Sequence, residues 1–230
     1  MGGEGADIEI EHRFFIPDHA ILPPLGKGSK IVQCYLRRDE LYLVDGAVYF
    51  KDQMLVRKWK KGDVEGVSVT AEQAKKINQL LDPEDYRVDS FRIRIFQDRK
   101  DKFHRKANVT VKGPGYPDRF EAEWEIVLTP DIDQMVNSGG KPKIQKIRYE
   151  VIYDGETWEI DRFEKDNDKL WLAEIEIPSN DYSFKVPPWV GKKLDGDNGK
   201  RLGNGTLAKG DKWADLQLDE EFMRWLKGPN

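Results

Sequence analysis

Apolar and charged residues alternate in seven short segments of this chain. The first is Ile-Glu-Ile-Glu-His-Arg at residues 8–13, where apolar and charged positions take opposite sides of an extended backbone. Successive side chains of a β-strand point to opposite faces of the sheet, so this period of two predicts strands with one apolar and one charged face. Together with neighbouring apolar runs, the pattern predicts strands at 8–13, 30–36, 91–96, 107–112, 119–128, 143–153, 157–163 and 170–177.

Turn and capping residues predict the elements between these strands. Asp45-Gly46 supplies the positive φ angles of a tight hairpin turn. Thr70, with Gln73 three positions later, forms a capping-box sequence before a helical apolar pattern, and Asp219 is a second candidate cap. These signals predict a hairpin at 41–50, a strand at 52–60, helices at 70–81 and 220–227, a helical turn at 131–137, and loop with a short helix over 187–209.

The predicted fold class is mainly β (α+β), with a few flanking helices. Eight or more antiparallel strands in a chain of 230 residues favour a closed barrel. Closure removes the exposed edges that an open sheet would leave.

Composition narrows the class of protein. The formal net charge is −4 although 35% of the residues are charged, which argues against a general nucleic-acid binder, since such proteins usually carry a basic surface. Cys34 is the only cysteine, so neither an intrachain disulfide nor a multi-thiolate zinc site is possible. No run of residues is long and apolar enough to span a membrane, and the first residues show no signal-peptide core. We expect a cytoplasmic protein with no membrane or nucleic-acid partner.

The charged faces indicate the chemistry. For one segment alone, a half-buried sheet with one wet face is the simpler interpretation. The seven segments together favour a functional one, because a solvated face tolerates Ser, Thr, Gln and Asn, whereas these positions are almost all Glu, Asp, Arg or Lys. Carboxylates at i and i+2 raise each other's pKa unless a cation intervenes, and oxygen ligands suit Mg²⁺ or Mn²⁺. Arginines and lysines on other strands match phosphate oxygens, so the pattern predicts a site for divalent metal ions and a polyanion.

Eight ordered pieces of the sequence resemble the CYTH or triphosphate tunnel metalloenzyme family. The family opens with Glu-x-Glu-x-Lys, which stands here as Glu9-Ile-Glu11-His-Arg13. The other pieces are Gln33-Cys-Tyr35-Leu, Arg92-Ile-Arg94, Thr110-Val-Lys112-Gly, Glu123-Trp-Glu125-Ile, Lys146-Ile-Arg148-Tyr, Trp158–Phe163 and Ala173-Glu-Ile-Glu176, with closing stretches at 187–191 and 200–208.

The resemblance implies an eight-stranded antiparallel tunnel whose lumen binds a triphosphate. On this basis, residues 8–208 form the CYTH-like tunnel domain. Residues 37–90 are an insertion within it, a hairpin plus a helix that serves as a lid or an interaction element. Residues 209–230 form a C-terminal helix.

The resemblance also assigns roles to charged residues along its motifs. Arg13 and Tyr35 are the candidate catalytic residues, and Arg13 stands where the family usually has a lysine. Close relatives often have arginine two positions before Glu123, where this chain has Glu121. Phosphate binding is assigned to Arg13, Arg92, Arg94, Lys112, Lys146, Arg148 and Arg201. Binding of Mg²⁺ or Mn²⁺ is assigned to Glu9, Glu11, Glu123, Glu125, Asp161, Glu174 and Glu176.

Three functions are open at this point. The leading prediction is a metal-dependent phosphohydrolase acting on inorganic tripolyphosphate or a nucleoside triphosphate. The first alternative is a class IV-like adenylyl cyclase of the same superfamily, which converts ATP to cyclic AMP and pyrophosphate. The second is a non-catalytic module that binds polyphosphate or a nucleotide. In all three functions, the protein binds a small-molecule triphosphate. The sequence also leaves open whether the protein forms a homodimer.

Overall fold

The computed structural model describes residues 8–64, 66–81, 90–101, 103–114, 118–138, 140–210 and 212–227. These residues divide into two compact units. The first unit contains the described residues within 8–9, 33–96 and 104–141, and the second contains those within 10–32, 97–103 and 142–230. Each unit carries several of the alternating segments.

β-Structure dominates the described residues. Their thirteen strands are β1 (Ile8–Phe15), β2 (Ser29–Leu36), β3 (Leu41–Val44), β4 (Ala47–Phe50), β5 (Gln53–Lys58), β6 (Ser68–Val69), β7 (Ser90–Asp98), β8 (Arg105–Lys112), β9 (Asp118–Ile126), β10 (Lys143–Tyr153), β11 (Glu156–Phe163), β12 (Trp171–Glu176) and β13 (Lys193–Leu194). Their five α-helices are α1 (Ala71–Leu80), α2 (Pro130–Asn137), α3 (Gly196–Arg201), α4 (Asn204–Leu207) and α5 (Glu220–Lys227).

The prediction of a mainly β fold with a few helices is confirmed. The strand count differs from the expected eight, because residues 41–69 contribute four strands and β13 adds a fifth. Closure of the sheet into an eight-stranded tunnel stays a prediction.

In the first unit, β7, β8 and β9 lie side by side and bury an apolar face. Ile93, Val109 and Trp124, one on each strand, have no exposed surface. The Trp124 indole donates a hydrogen bond to Gln73 Oε1 at 3.2 Å, which attaches α1 to this face. Since side chains alternate along a strand, the charged residues of these strands take the opposite face.

Four of the strands form a separate small sheet in the order β3–β4–β5–β6 within the predicted insertion. Asp45 and Gly46 join β3 to β4 with φ angles of 50° and 79°, as the sequence predicted. Helix α1 begins with a complete capping box, in which Thr70 Oγ1 accepts from the Gln73 amide and Gln73 Oε1 accepts from the Thr70 amide, both at 3.1 Å. The predicted hairpin and helix are therefore confirmed.

The second unit contains an antiparallel sheet in the order β10–β11–β12–β1–β13. Its register sets Arg148 opposite Asp161, Glu159 opposite Glu174, and Arg13 opposite Glu174. The other face of this sheet carries a core cluster of Phe14, Ile16, Ile147, Tyr149, Trp158, Ile160, Ala173, Ile175, Ile177 and Trp189. The predicted separation of apolar and charged faces is confirmed in this unit.

Aromatic rings attach helix α5 to the second unit. Asp219 Oδ1 accepts from the Phe222 amide at 2.7 Å, which confirms the predicted N-cap. The rings of Phe222 and Trp225 meet the Phe15 ring edge-on, with centroids 5.6 and 5.8 Å away. A Cβ at Gly191 would lie 2.6 Å from the Trp225 ring and 2.8 Å from the Phe15 carbonyl oxygen. Only glycine permits this close approach.

One local prediction is confirmed and extended by the structure, and another needs correction. The expected helical turn at 131–137 is helix α2, because Thr129 Oγ1 caps the Ile132 amide at 3.3 Å and Pro130 suits the first helical position. The stretch 187–209 contains β13, α3 and α4 instead of a single short helix. Across the described residues, none of the helices has the length and apolar character needed to cross a membrane.

Candidate functional site

Both units bury charged side chains. In the second unit, Lys146 and Asp161 are 2% and 0% exposed, and in the first unit Arg92 and Lys112 are 4% and 3% exposed. A merely solvated sheet face would leave these side chains in water, because burying an unpaired charge is costly. The wet-face interpretation is therefore wrong at these positions, and each buried charge requires partners.

Arg148 on β10 is the centre of the second unit's charged face. Its guanidinium donates to Asp161 at 2.6 and 2.7 Å and to Glu174 Oε2 at 2.6 Å. It also pairs with Glu159, while Lys146 donates to Asp161. We call these five residues the Arg148 cluster. Three strands supply them, so the register of β10, β11 and β12 fixes their arrangement.

The carboxyl groups of the Arg148 cluster differ in their affinity for protons. Burial by itself would raise the pKa of Asp161, but Arg148 and Lys146 together lower it to about 2. Burial raises the pKa of Glu159 to about 7, and the Arg148 charge only partly offsets that rise. Burial, followed by the charge of Glu11, also raises the pKa of Glu174. Asp161 therefore holds its negative charge, while Glu159 and Glu174 lack sufficient positive charge around them.

Arg13 on β1 connects the charged face to helix α3. Its Nη2 donates to the Gly199 carbonyl at 2.8 Å, its Nη1 reaches the Leu202 carbonyl at 3.4 Å, and its Nε lies 3.3 Å from Glu11 Oε1. Carbonyls at the end of a helix carry partial negative charge, which favours a cation there. The planar fork of an arginine can reach both carbonyls and the carboxylate, whereas the single ammonium of a lysine cannot match that spread.

The first unit contains a second charged group with the opposite arrangement, which we call the Glu121 cluster. Glu121 Oε1 lies 2.9 Å from Arg92 Nη2 and 3.8 Å from Arg94 Nη2, and Lys112 pairs with Oε2 of the same carboxylate. The three basic side chains are 3–16% exposed. All three were predicted to bind phosphate, and the structure brings them together around one acid.

Polar side chains extend the Glu121 cluster. Arg94 Nε donates to Gln33 Oε1 at 3.0 Å, and the Gln33 amide donates to the Tyr35 hydroxyl. Glu123 lies 3.2 Å from Arg94 Nη1 and accepts from the Thr110 hydroxyl at 2.8 Å. Tyr35 is thus bonded to a residue that orients Arg94, and Glu123 is placed between a base and a hydroxyl.

The remaining predicted site residues lie away from the two clusters' buried centres. Glu125 is exposed and pairs with Lys106 at 3.3 Å. Glu176 is exposed on β12, and Arg201 is exposed at the last position of α3. The side chain of Glu9 lies outside the part of the chain that the structure describes. The predicted roles of these four residues stay predictions, as do the predicted roles of the residues in the two clusters, Arg13 and Tyr35 included.

Four residues in or beside the clusters were absent from the predicted site. Glu159 alternates with Trp158 just as Asp161 does, so the strand pattern alone identified it as a candidate. Glu121 precedes Glu123 and Glu125 in one Glu-x-Glu-x-Glu run, and it too could have been found by alternation. Gln33 and Thr110 carry no charge, but both lie in pieces of the sequence that resemble the family.

The arrangement of the carboxylates bears on whether the site could hold a metal ion. Within the described ranges, no group of three or more His, Cys, Asp or Glu side chains has the geometry to hold a metal ion. The carboxylates of the Arg148 cluster contact basic side chains instead. Their chemistry nevertheless fits a hard divalent cation, because they offer only oxygen ligands and two of the three have raised pKa values that extra positive charge would lower.

Comparison with known proteins identifies the relatives of this chain. No protein-family model matches it. It is 37% identical over 121 residues to an inorganic triphosphatase of Acetivibrio thermocellus, an alignment that spans 52% of this chain and 72% of the relative. The chain belongs to the inorganic triphosphatase family.

A second relative and a solved structure bear the same family name. The chain is 31% identical over 124 residues to an inorganic triphosphatase of Nitrosomonas europaea, covering 53% of this chain and 77% of that protein. It is also similar to the crystal structure of the inorganic triphosphatase NE1496, with a TM-score of 0.46, 21% identity, and coverage of 87% of this chain and 93% of the other.

Proposed function

We propose that this protein is a divalent-metal-dependent triphosphatase of the CYTH type that hydrolyses inorganic tripolyphosphate or a nucleoside triphosphate. Membership of the inorganic triphosphatase family supports it. The structural observation that carries it is the burial of basic and acidic side chains on one face of each unit's sheet. The eight-stranded tunnel belongs to the same proposal, and it rests on the ordered sequence motifs.

The basic residues would bind and orient the phosphate chain. Arg92, Arg94 and Lys112 converge on a single carboxylate, so the same donors can converge on phosphate oxygens. Donors that are fixed before substrate arrives need little reorganisation as negative charge develops, which is the main electrostatic contribution to phosphoryl transfer. Arg13 differs from these residues, because its guanidinium already donates to the Gly199 carbonyl in α3 and lies 3.3 Å from Glu11.

The carboxylates of the second unit would hold the metal. Glu11, Glu159, Asp161 and Glu174 are the described candidates with partly or fully buried side chains. Mg²⁺ or Mn²⁺, when bound, would supply positive charge to the phosphates and lower the pKa of bound water. The basic neighbours lower the pKa of Asp161 to about 2, so it can serve as a constant ligand, whereas burial raises the pKa of Glu159 to about 7, so a metal ion would compete with a proton there.

A substrate panel tests the proposal. Purified protein is incubated with tripolyphosphate or ATP, in Mg²⁺, in Mn²⁺, or in chelator, and the products are identified. We expect metal-dependent release of orthophosphate from at least one triphosphate. A Lys112→Met variant should lose most of this activity, while Lys75→Met, a matched change on the exposed side of α1, should keep it.

The same panel separates the alternatives. Cyclic AMP with pyrophosphate as the products from ATP would show an adenylyl cyclase. Binding of triphosphate without any product, in both metals, would show a non-catalytic module. Either outcome contradicts the proposed hydrolysis.

A further inference from the structure

Glu121 stands in a position that an anion from solution would otherwise take. Its carboxylate contacts Arg92, Arg94 and Lys112, which come from β7 and β8, and its side chain is 14% exposed. A carboxylate with three cations around it is a poor metal ligand, because a divalent cation would be repelled by the same neighbours. Glu121 therefore serves as a counter-anion within the Glu121 cluster.

The fit of one carboxylate to three bases is incomplete. Two oxygens face three cationic side chains, so Oε1 is shared, at 2.9 Å from Arg92 and 3.8 Å from Arg94, whose nearer carboxylate is Glu123 at 3.2 Å. The second distance is too long for a hydrogen bond. A terminal phosphoryl group presents three oxygens and up to two negative charges, so it can give each base an oxygen of its own. The cluster is better matched to a phosphoryl group than to the acid that occupies it.

Glu121 also has a structural role while no substrate is bound. Without Glu121, the buried charges of Arg92, Arg94 and Lys112 would be less fully compensated, although Arg94 would keep Glu123 at 3.2 Å, and poorly compensated buried charge destabilises a fold. A built-in carboxylate neutralises one of these charges and keeps the basic side chains in position. It does so at the expense of affinity, because substrate must displace it.

We infer that Glu121 is an internal competitor for phosphate, a residue that holds the basic cluster in its binding geometry and sets the affinity for the triphosphate by having to be displaced. This inference rests on the proposed function, since it takes the substrate to be a phosphate chain. It predicts that removing the carboxylate tightens binding. Damage to the fold would weaken binding, so the two effects have opposite signs.

The test is calorimetric titration of tripolyphosphate into metal-free protein. Glu121→Gln should lower the dissociation constant by about tenfold or more, because a like charge next to the bound anion is removed. Glu72→Gln changes the net charge by the same amount on the exposed first turn of α1 and should leave the constant unchanged. An unchanged or weaker affinity in folded Glu121→Gln overturns the inference.

A structural measurement serves if Glu121→Gln fails to fold. In a crystal structure of the wild-type protein with tripolyphosphate, Glu121 should have left Arg92 and Lys112, with phosphate oxygens in its place. Retention of both ion pairs alongside bound tripolyphosphate overturns the inference. Both experiments measure binding without turnover, so a protein that binds tripolyphosphate but releases no phosphate contradicts the proposed function alone.

Discussion

At the scale of the residue, each cluster compensates a buried central charge with side chains of the opposite sign. Arg148 is a cation surrounded by three carboxylates, and Glu121 is an anion surrounded by three bases. Buried charges are tolerated only when partners compensate their lost hydration. Each cluster therefore depends on its central residue, and removing that residue or its main partner leaves uncompensated charge inside the protein.

Asp161 provides the clearest stability prediction. Asp161→Asn removes the charge that faces both Lys146 and Arg148, so we expect the free energy of unfolding of the metal-free protein to fall by about 3–5 kcal/mol. Urea denaturation followed by circular dichroism measures the change. Asp166→Asn, an exposed change in the turn after β11, should stay within about 0.5 kcal/mol of wild type. A loss of similar size in both variants would contradict the prediction.

Arg13 is expected to stabilise helix α3. Arg13→Met removes two hydrogen bonds to main-chain carbonyls and the ion pair with Glu11, and should lower the free energy of unfolding by roughly 3 kcal/mol. Arg13→Lys keeps the charge but cannot span both carbonyls, so its stability should lie between that of the methionine variant and that of the wild type. The order is measured by chemical denaturation. Equal stability of the lysine variant and wild type would show that the second carbonyl contact contributes nothing.

Sequence alternation predicted which charged residues share a face, but it could not predict their partners. Lys146, Arg148 and Asp161 were all expected on one charged face, and they are. That Arg148 meets Asp161 depends on the register between β10 and β11, and a slip of two residues would give Arg148 another partner on the same face. Register is set by packing along the whole strand, which a single sequence does not display.

At the scale of the element, the sequence predicted the structures that depend only on neighbouring residues. The Asp45-Gly46 hairpin and the Thr70 capping box depend on neighbouring residues only, and both were predicted. Strand β6 has two residues and pairs in parallel with β5, so neither its length nor its pairing leaves an alternating pattern. Helices α3 and α4 are short, and contacts from distant residues support them: Arg13 bonds the end of α3, and Asn167 bonds the Leu207 carbonyl in α4 at 3.2 Å.

The attachment of helix α5 should depend on pH through Asp219. Its bond to the Phe222 amide, and then to Asn198, lowers the pKa of the Asp219 carboxyl below its usual range. A carboxyl with a lowered pKa in the folded state stabilises the protein above its unfolded pKa, near 3.9, and this stabilisation is lost as the pH falls through the folded value. Acid should therefore weaken the cap.

Asp219→Asn isolates this effect, because asparagine can still cap a helix but does not titrate as an acid. Wild type should be more stable than the variant at neutral pH, and the difference should shrink toward zero below the usual aspartate range. Urea unfolding at a series of pH values measures it. A difference that grows as the pH falls would have the wrong sign for this carboxylate.

At the scale of the whole molecule, the net charge is negative, whereas the side chains around Glu121 are positive. The chain carries 42 acidic and 38 basic residues, so its net charge opposes a polyanion at long range. Local attraction arises where folding gathers bases from neighbouring strands, as in the Glu121 cluster, whose three bases come from β7 and β8. The unfolded chain has no such cluster, and binding should therefore favour the folded state.

Ligand-linked stability tests this conclusion. Tripolyphosphate at a hundred times its dissociation constant should raise the apparent free energy of unfolding by about 2.7 kcal/mol, with a transition temperature that keeps rising with concentration. Sodium chloride at matched ionic strength is the control for screening. A shift of the same size in the control would mean that the added salt, and not binding, stabilises the protein.

Gly191 has a consequence for which sequences can keep this fold. With a Cβ only 2.6 Å from the Trp225 ring, even alanine would force α5 away from Phe15. In a library of substitutions at every position, residue 191 should tolerate no replacement while Trp225 stays aromatic. A smaller residue at position 225 would remove only part of the obstruction, because the main-chain carbonyl oxygen of Phe15 lies 2.8 Å from the same Cβ, so residue 191 should stay glycine in that background too.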